Sequence, residues 1–197
     1  KELEKKVDHS AGLRLNGALS IAQHKGRWQE LQRQATTAQL YDVDVRILDK
    51  DQIKKDYPII NTDEVIGGIL MPGDGAADPS GVTHMLAKGA RMEGAQIFEK
   101  SPVEEILTKD GKISGVKVNG QIVECEYIVL ASGMWSRQIG EKVGVSVPLY
   151  PAEHFYIITE PIENLSKTLP VIRDFDNSTY IKEDAGKILV GIFEGKS

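Results

Sequence analysis

The amino-acid sequence predicts a mixed α/β (α+β) fold, and three observations support this class. Short apolar runs alternate with segments of helical periodicity through residues 1–94. Three strand-like runs then follow one another between residues 95 and 133, separated by an Asp-Gly and an Asn-Gly dipeptide that favour tight turns. The last run becomes continuously apolar from Ile128 to Ala131, which is typical of a strand buried on both faces of a parallel sheet.

The first forty residues predict a helix, a hairpin and a second helix. The opening run KELEKKV has a helical pattern. Asn16-Gly17 then separates two apolar-alternating runs, which predicts a β-hairpin. A longer helix is predicted next, because apolar residues recur at helical spacing and would share one buried face: Trp28, Leu31, Ala35 and Ala38.

Two capping patterns predict the next helices. Asp49, with Gln52 three residues later, predicts a capping box at the start of a short helix that follows the strand VDVRIL. Asp78 followed by Pro79 predicts the N-terminus of a longer helix. This second helix would bury a stripe of four residues against a core: Val82, Met85, Leu86 and Gly89.

Composition and charge exclude several classes of protein. The formal net charge is −5 over 197 residues and the charges are interspersed, so neither a nucleic-acid surface nor a nucleic-acid partner is predicted. No apolar run approaches the roughly 20 residues of a membrane-spanning helix, so no membrane contact is predicted. The single cysteine, Cys125, excludes a disulfide framework and a Cys-based metal site, and we expect its thiol to be buried. Because the chain begins at Lys1 within a helical pattern, we expect a piece of a longer protein.

The residues that follow the apolar run form the first candidate site. Ala131, Ser132 and Gly133 are all small, and Trp135 comes directly after them. In open α/β sheets, ligands bind beyond the carboxyl ends of the strands, and small residues let a ligand approach the backbone closely. The same residues also suit a purely structural turn, so both interpretations stay open at this point.

Four motifs spread along the chain carry a resemblance to a known family. They are PGDG with DP before a helix, the turn ASGMW, the run PLYPAEHFYIITE, and the run LPVIRDFDNSTYIKEDAGKILVGIFE. Together they resemble the FAD-dependent amine oxidoreductases of the D-amino-acid-oxidase superfamily, and most closely its dimethylglycine and sarcosine dehydrogenase branch. The Gly-x-Gly-x-x-Gly turn that holds the FAD pyrophosphate in that family is absent from this sequence, so we expect it to lie outside it.

The resemblance implies two layers and a set of FAD contacts. Residues 75–144 would be part of a glutathione-reductase-like FAD-binding layer, and residues 1–74 and 145–197 would form a β-rich substrate-binding layer. Five residues would contact FAD: Val103, Ala131, Ser132, Gly133 and Trp135. The backbone of Val103 would pair with the adenine, and Trp135 would either cover the flavin or seal the core. We expect the 197 residues alone to be inactive, because part of the FAD site would lie elsewhere.

The resemblance also implies roles in the substrate site. His154 and Tyr180 would be the catalytic residues, and Tyr156 and Arg173 would bind substrate. A histidine can take a proton near neutral pH, a phenol can donate a hydrogen bond, and a guanidinium can bind a carboxylate through two hydrogen bonds. From the residues alone, His154 also suits a core position, and Arg173 also suits a structural ion pair with a nearby aspartate, Asp174 or Asp176.

The reaction implied is oxidation of the C–N bond of an N-methyl amino acid, such as dimethylglycine or sarcosine, by hydride transfer to FAD. Oxygen or an electron-transfer flavoprotein would accept the electrons, and a C-terminal domain outside this chain would bind folate. Two alternatives stay open: another oxidase of the superfamily, such as a glycine oxidase, and a noncatalytic ligand-binding or assembly module. We expect a cytoplasmic protein, with the mitochondrial matrix as the alternative location.

Overall fold

A seven-stranded mixed sheet lies at the centre of the first of two units in the computed structural model, which describes residues 1–193. The first unit comprises Lys1–Glu93 and the residues from His154 onward, and the second comprises Gly94–Glu153 and holds a smaller antiparallel sheet. The mixed α/β (α+β) class predicted from sequence is thereby confirmed. The assignment of residues 75–144 to an FAD-binding layer stays a prediction, and residues 194–197 of the predicted third segment lie outside the described residues.

The described elements have these bounds. The helices are α1 (Glu2–Val7), α2 (Lys25–Gln39), α3 (Lys50–Asp56), α4 (Pro79–Met92) and α5 (Ser136–Glu141), with a 3₁₀ turn at Gly133–Trp135. The strands are β1 (Ala18–Ala22), β2 (Arg46–Asp49), β3 (Gly67–Met71), β4 (Val103–Lys109), β5 (Lys112–Val118), β6 (Gln121–Glu124), β7 (Phe155–Ile158), β8 (Val171–Asp174), β9 (Thr179–Asp184) and β10 (Lys187–Ile192).

The large sheet has the strand order β2-β3-β1-β8-β9-β10-β7. Its central strand β1 pairs antiparallel with β3 and parallel with β8. Every residue of β1 is buried, because both faces of this strand are covered. The side chains of β1 point alternately to the two faces of the sheet, since neighbouring residues of a strand point to opposite sides.

Each face of β1 has its own hydrophobic core. One core contains Leu19, Ile21, Leu48, Ile53 and Val65, and it includes the apolar residue of α3. The other contains Ala22, Leu31, Ala35 and Ile69, with Trp28 packed against it. Burial of a leucine side chain such as Leu31 contributes about 1.5–3 kcal/mol. Helix α2 packs on β1, β2 and β3, so on its side of the sheet it does not cover the other four strands, β8, β9, β10 and β7.

Both capping predictions are confirmed, but the helix stripe is only partly confirmed. Asp49 and Gln52 form a reciprocal capping box at α3, and the Asp78 carboxylate accepts hydrogen bonds from the first backbone N–H groups of α4. In the predicted stripe of α4, however, Leu86 is 53% exposed. The reason is that α4 packs on the short helix α1, which is too small to cover the whole stripe.

The hairpin predicted at Asn16-Gly17 is wrong. Gly17 has the positive φ that such a turn requires (85°), but β1 begins only after it and pairs with distant strands. The side-chain amide of Asn16 donates a hydrogen bond to the carbonyl of Leu169, and the carbonyl of Gly17 accepts one from the N–H of Val171. These two residues therefore join β1 to β8 instead of closing a local hairpin.

In the second unit, the two turn predictions are confirmed. Both central residues have positive φ in each turn, 52° and 74° at Asp110-Gly111 and 49° and 75° at Asn119-Gly120. These values match the type I′ turns that suit antiparallel hairpins. The turns connect β4 to β5 and β5 to β6 in a three-stranded sheet.

The buried strand predicted at Ile128–Ala131 is wrong. This segment forms no strand, and Val129 within it is 89% exposed. A strand buried on both faces needs a partner strand on each side and covering layers above and below, and none of the strands described within residues 1–193 pairs with this segment. Cys125, which was expected to be buried, is only partly buried, because it follows β6 at the edge of the three-stranded sheet.

None of the helices described within residues 1–193 is long and apolar enough to cross a membrane.

An ion pair between the buried Glu183 and the partly exposed Arg14 makes the stability of the first unit depend on pH. Glu183 is 2% exposed, and its carboxylate accepts hydrogen bonds from the Arg14 guanidinium and from the Gly186 N–H. Burial alone would raise the pKa of Glu183, but the Gly186 N–H and the Arg14 guanidinium outweigh it and lower the pKa below its ordinary value of 4.5. The stabilisation is therefore complete above pH 4.5 and is lost as the pH falls through the lowered pKa.

We expect Glu183→Gln to reduce the free energy of unfolding by roughly 2 kcal/mol at pH 7, because it leaves Arg14 without its charged partner. The difference between variant and parent should shrink below pH 4.5, because the carboxylate of the unfolded parent takes up a proton there while that of the folded parent stays ionised down to its lowered pKa. Urea unfolding of the full-length protein at several pH values measures this difference in the free energy of unfolding. The control is Glu93→Gln, which removes an exposed pair with Lys6 and should change nothing measurable. Equal losses at pH 7 and at pH 3 would contradict the assignment.

Candidate active site on the open face of the sheet

Three of the four predicted substrate-site residues lie in one row across the large sheet. Arg173 of β8 is paired with Tyr180 of β9, Tyr180 with Gly191 of β10, and Gly191 with Tyr156 of β7. Directly opposed residues on adjacent strands point to the same face of a sheet. The face is the one that α2 covers over β1 and β3, because Arg173 is also paired with Ser20 of β1. Among the described residues of the first unit, no helix packs on β8, β9, β10 or β7, so the helices of this unit leave this half of the face open.

His154, the fourth predicted residue, joins the row through an aromatic cluster. Its Nε2 atom lies 3.1 Å from the hydroxyl oxygen of Tyr180, within hydrogen-bond distance. Its ring stacks on Phe193, with 4.6 Å between the ring centroids, and Phe193 also contacts the Tyr180 ring. The structure thus places His154 beside Tyr180, while the catalytic roles that the family resemblance implies for them stay predictions. No pattern in the sequence had indicated that Phe193 would complete the cluster.

Arg173 pairs with neither of the aspartates expected from sequence. Its Nη2 atom lies 3.3 Å from the carboxylate of Asp74, in the PGDG loop after β3. Gly75 lets this loop approach the chain near Arg14, since a Cβ at Gly75 would overlap the carbonyl of Arg14. Arg14 and Ala76 also exchange two backbone hydrogen bonds. The PGDG loop therefore holds the carboxylate of Asp74 beside Arg173.

Asp174 and Asp176 are bound to other residues, which explains why Arg173 pairs with neither of them. Asp174 accepts hydrogen bonds from Gln23 and Asn177, and Asp176 pairs with Arg27 and His24. His24 Nδ1 accepts from the Arg27 N–H, so its Nε2–H donates to Asp176. Both carboxylates thus tie the turn between β8 and β9 to the N-terminus of α2.

The Asp176 carboxylate is held in its charged form. Burial alone would raise the pKa of Asp176, but the backbone N–H of Gln23 and the guanidinium of Arg27 outweigh it and lower the pKa below its ordinary value. Arg27 also lies over the ring of Phe175, 5.5 Å from its centroid. These contacts fix the turn that precedes Tyr180.

A cavity of about 450 Å³ opens between Arg173 and the aromatic cluster. The residues that line it include Arg173, Phe175, Tyr180 and Phe193. The volume lies within the range of small-molecule sites, which are commonly about 300–1,000 Å³. The cavity is thus lined by one cationic residue together with three aromatic residues.

The five residues predicted to contact FAD all lie in the second unit. Val103 begins β4, which is an edge strand of the three-stranded sheet, and it is partly exposed. Gly133 has a φ of 52°, and none of the residues described in 1–193 lies within 4 Å of where its Cβ would stand; Trp135 beside it is 62% exposed. The turn is therefore exposed at Gly133, and the FAD contacts predicted for these five residues stay predictions.

Comparison with known proteins shows several relatives that match most of this chain. The chain is 39% identical over 178 residues to 4-methylaminobutanoate oxidase (formaldehyde-forming) of Paenarthrobacter nicotinovorans, covering 90% of this chain and 22% of that protein. It is 32% identical to mitochondrial sarcosine dehydrogenase of Homo sapiens, covering 98% and 22%. It is also 30% identical to the mitochondrial pyruvate dehydrogenase phosphatase regulatory subunit of Mus musculus, covering 98% and 22%. The chain thus spans about a fifth of the length of these relatives.

A solved structure and a family model agree with these relatives. The L-proline dehydrogenase from P. horikoshii superposes with a TM-score of 0.89 at 25% identity, over 100% of this chain and 53% of that one. The family model described as FAD dependent oxidoreductase (DAO) matches residues 1–196. Because that match covers nearly every residue, the chain belongs to the FAD dependent oxidoreductase family, as the resemblance to the D-amino-acid-oxidase superfamily predicted.

Proposed function

We propose that the full-length protein oxidises the C–N bond of a small N-methylated amino acid, and that the open face of the sheet binds this substrate. The observation that carries the proposal is the pairing of His154 with Tyr180 beside the cavity that Arg173 lines. Relatives named for sarcosine and for 4-methylaminobutanoate support the class of substrate. Both of these compounds carry an N-methylamine and a carboxylate.

When bound, FAD supplies the acceptor for a hydride from the carbon next to the substrate nitrogen. This carbon gives up a hydride only when the nitrogen lone pair is free, so the substrate ammonium must first lose a proton. The Tyr180 hydroxyl oxygen can accept that proton from the ammonium while its own proton passes to His154 Nε2, 3.1 Å away. The products of this transfer are a neutral amine, an intact phenol and a protonated His154.

Arg173 is the proposed anchor for the substrate carboxylate, with Tyr156 lining the same face. A guanidinium has five N–H donors, and the Asp74 contact in this structure is made through Nη2. The Asp74 carboxylate also orients the guanidinium, although it competes with the substrate for the same positive charge. A bound carboxylate would hold the amine toward Tyr180, because Arg173 and Tyr180 are opposed on adjacent strands.

We expect Arg173→Gln in the full-length protein to raise the KM for an N-methyl amino acid roughly 10- to 100-fold with a smaller change in kcat, since a charge-assisted pair contributes a few kcal/mol. Steady-state kinetics measure both constants. The control Arg46→Gln removes an exposed ion pair with Asp44 in the same unit and should leave KM unchanged. A normal KM in Arg173→Gln would show that the carboxylate binds elsewhere.

For the cofactor, we propose that the second unit contributes the residues predicted from sequence. Ala131, Ser132 and Gly133 would lie against the nucleotide, because their small side chains leave the backbone accessible. The backbone of Val103 would pair with the adenine, and Trp135 would cover the ring system. We place the pyrophosphate-binding turn outside this sequence, which contains no Gly-x-Gly-x-x-Gly.

A second candidate function is a noncatalytic regulatory module. The similarity to a phosphatase regulatory subunit favours it, since that relative is as similar to this chain as the dehydrogenases are. The two functions differ in a direct assay. The full-length protein is purified, its visible flavin band is recorded, and sarcosine, dimethylglycine or 4-methylaminobutanoate is added without oxygen. Bleaching of the band by at least one of them supports the enzyme, whereas a flavin that none of them reduces supports the module.

The remaining partners follow the same proposal. Oxygen or an electron-transfer flavoprotein would reoxidise the flavin, and folate would bind a further domain outside these residues. The mitochondrial names of two relatives support the matrix as a location, beside the cytoplasmic location expected from the sequence. Fractionation of cells that express the full-length protein would separate the two locations.

A further inference from the structure

Gly191 lies directly beneath the ring of Tyr180. It sits in the interior of β10, paired with Tyr180 on one side and with Tyr156 on the other. A Cβ at this position would overlap the ring carbons Cε1 and Cζ of Tyr180 and would come within 2.5 Å of its hydroxyl oxygen. The Tyr180 ring therefore occupies the space that a side chain at residue 191 would need.

The backbone gives no other reason for a glycine at this position. Gly191 is absent from the described glycines with positive φ, so its conformation is open to any residue. A glycine within a strand lowers stability, since it offers no side chain to pack and restricts the unfolded chain least. The glycine thus costs stability at this position and provides space for the tyrosine ring.

The space left by the missing side chain at Gly191 determines the direction in which the Tyr180 ring points. Side chains paired across strands normally stand side by side, upright from the sheet. With no side chain at residue 191, the Tyr180 ring leans across β10, toward the strand that follows His154. The hydroxyl oxygen then reaches His154 Nε2 at 3.1 Å, and Phe193 packs against both rings.

We propose that Gly191 is a positioning residue, which acts through Tyr180 by letting its hydroxyl meet His154. This inference rests on the proposed function, in which that hydroxyl takes a proton from the substrate amine. Gly191 itself touches no reacting atom. The sign in the sequence is an isolated glycine within the apolar strand KILVGI, a pattern that indicates close approach of another group.

The test uses Gly191→Ala in the full-length protein labelled with 3-fluorotyrosine. The Tyr180 resonance is identified by its loss in Tyr180→Phe, and its position reports the surroundings of the ring without any turnover. We expect Gly191→Ala to move this resonance and to slow flavin reduction by an N-methyl amino acid roughly 10- to 100-fold, because small misplacements of a reacting group have effects of this size. The matched control is Gly89→Ala in α4, where a Cβ makes only ordinary contacts at 3.4 Å and neither quantity should change.

A double variant separates positioning from general damage. If Gly191 acts through the hydroxyl, adding Gly191→Ala to Tyr180→Phe should slow reduction no further than Tyr180→Phe alone. If the two losses multiply, Gly191 acts by another route and the proposal fails. An unshifted Tyr180 resonance in Gly191→Ala would also overturn it.

The failure of the proposed function and the failure of the role assigned to Gly191 give different results. Normal reduction in Tyr180→Phe would remove the proposed role of the hydroxyl, while a shifted resonance in Gly191→Ala would still support the space assigned to the ring. If Gly191→Ala does not fold, the melting temperatures of Tyr180→Ala and of Tyr180→Ala with Gly191→Ala are compared. Without the ring the double variant should melt at the same temperature as Tyr180→Ala or slightly above it, and a large further loss in the double variant would contradict the overlap between residue 191 and the ring.

Discussion

Replacing Tyr180 with Phe or His154 with Asn in the full-length protein is expected to slow flavin reduction by an N-methyl amino acid by roughly 10²-fold or more. Each change approximately keeps the size of the side chain. Tyr180→Phe removes the hydroxyl that would accept the ammonium proton, and His154→Asn removes the ring nitrogen that would take the proton onward, 3.1 Å away. Stopped-flow measurement of the reduction, without oxygen, gives the rate directly.

Two matched variants show whether the loss is specific to this pair. Tyr41→Phe and His84→Asn change exposed residues of the same unit, and both should reduce their flavin at the parent rate. The melting temperatures of all four variants are recorded beside the rates. If the rates of Tyr180→Phe and His154→Asn stay normal while their melting temperatures fall, the two residues serve packing and the catalytic assignment is wrong.

The second large effect is expected at the small-residue turn of the second unit. Gly133→Leu should weaken FAD binding roughly 10²-fold, about 3 kcal/mol, because the leucine would occupy space proposed for the nucleotide. Within the described chain, nothing lies within 4 Å of the new Cβ, so the chain itself would meet only the backbone cost of a positive φ of 52°. That cost is about 1–2 kcal/mol for a left-handed residue. Flavin absorbance after gel filtration measures the occupancy.

Gly144 provides a control for that backbone cost. It lies in the same unit with a φ of 74°, and no atom of the residues that the structure describes lies within 4 Å of its Cβ position. Gly144→Leu should therefore lose stability to a similar degree and still keep its flavin. If both variants keep their flavin, the turn at Gly133 is structural; if both lose it equally, the loss reflects backbone strain. Only a selective loss in Gly133→Leu agrees with nucleotide contact.

The local features of the fold were predictable from the sequence because short-range contacts decide them. Asp49 and Gln52 bond to each other's backbone across three residues, and Asn119-Gly120 adopts its turn by intrinsic preference. Asn16-Gly17 has the same turn signal, but distant strands determine the outcome there. Its flanking strand pairs with residues 67–71 and 171–174, and no pattern within residues 10–22 contains that information.

Burial of the run from Ile128 to Ala131 on both faces was predicted from its apolar character. Such burial also depends on which other elements of the structure pack against the run. The run from Ile128 to Ala131 is apolar enough for a central strand, but none of the described strands pairs with it. The same limit explains Leu86 of α4, which has the helical spacing of a core residue and is exposed beside a short partner helix. An apolar pattern shows what a segment can bury, and the tertiary structure decides what covers it.

The candidate site was partly predictable, and the missing part depends on sheet register. His154, Tyr156, Arg173 and Tyr180 were named from a family resemblance, and the structure brings them to one face of the sheet. Phe193 and Gly191 join the site because β10 lies between β9 and β7, which only the pairing of strands reveals. Asp74 is 99 residues from Arg173 in sequence, so its pairing was likewise not readable from spacing.

The central claim is that an N-methyl amino acid binds on the open face of the large sheet, between Arg173 and the His154–Tyr180 pair. A crystal structure of the full-length protein with FAD, soaked with dimethylglycine after chemical reduction of the flavin to prevent turnover, tests it most directly. We predict the substrate nitrogen within hydrogen-bond distance of the Tyr180 hydroxyl, about 3 Å, and the substrate carboxylate on the Arg173 guanidinium. Dimethylglycine bound away from both residues, with the flavin on another face of the sheet, would contradict the account.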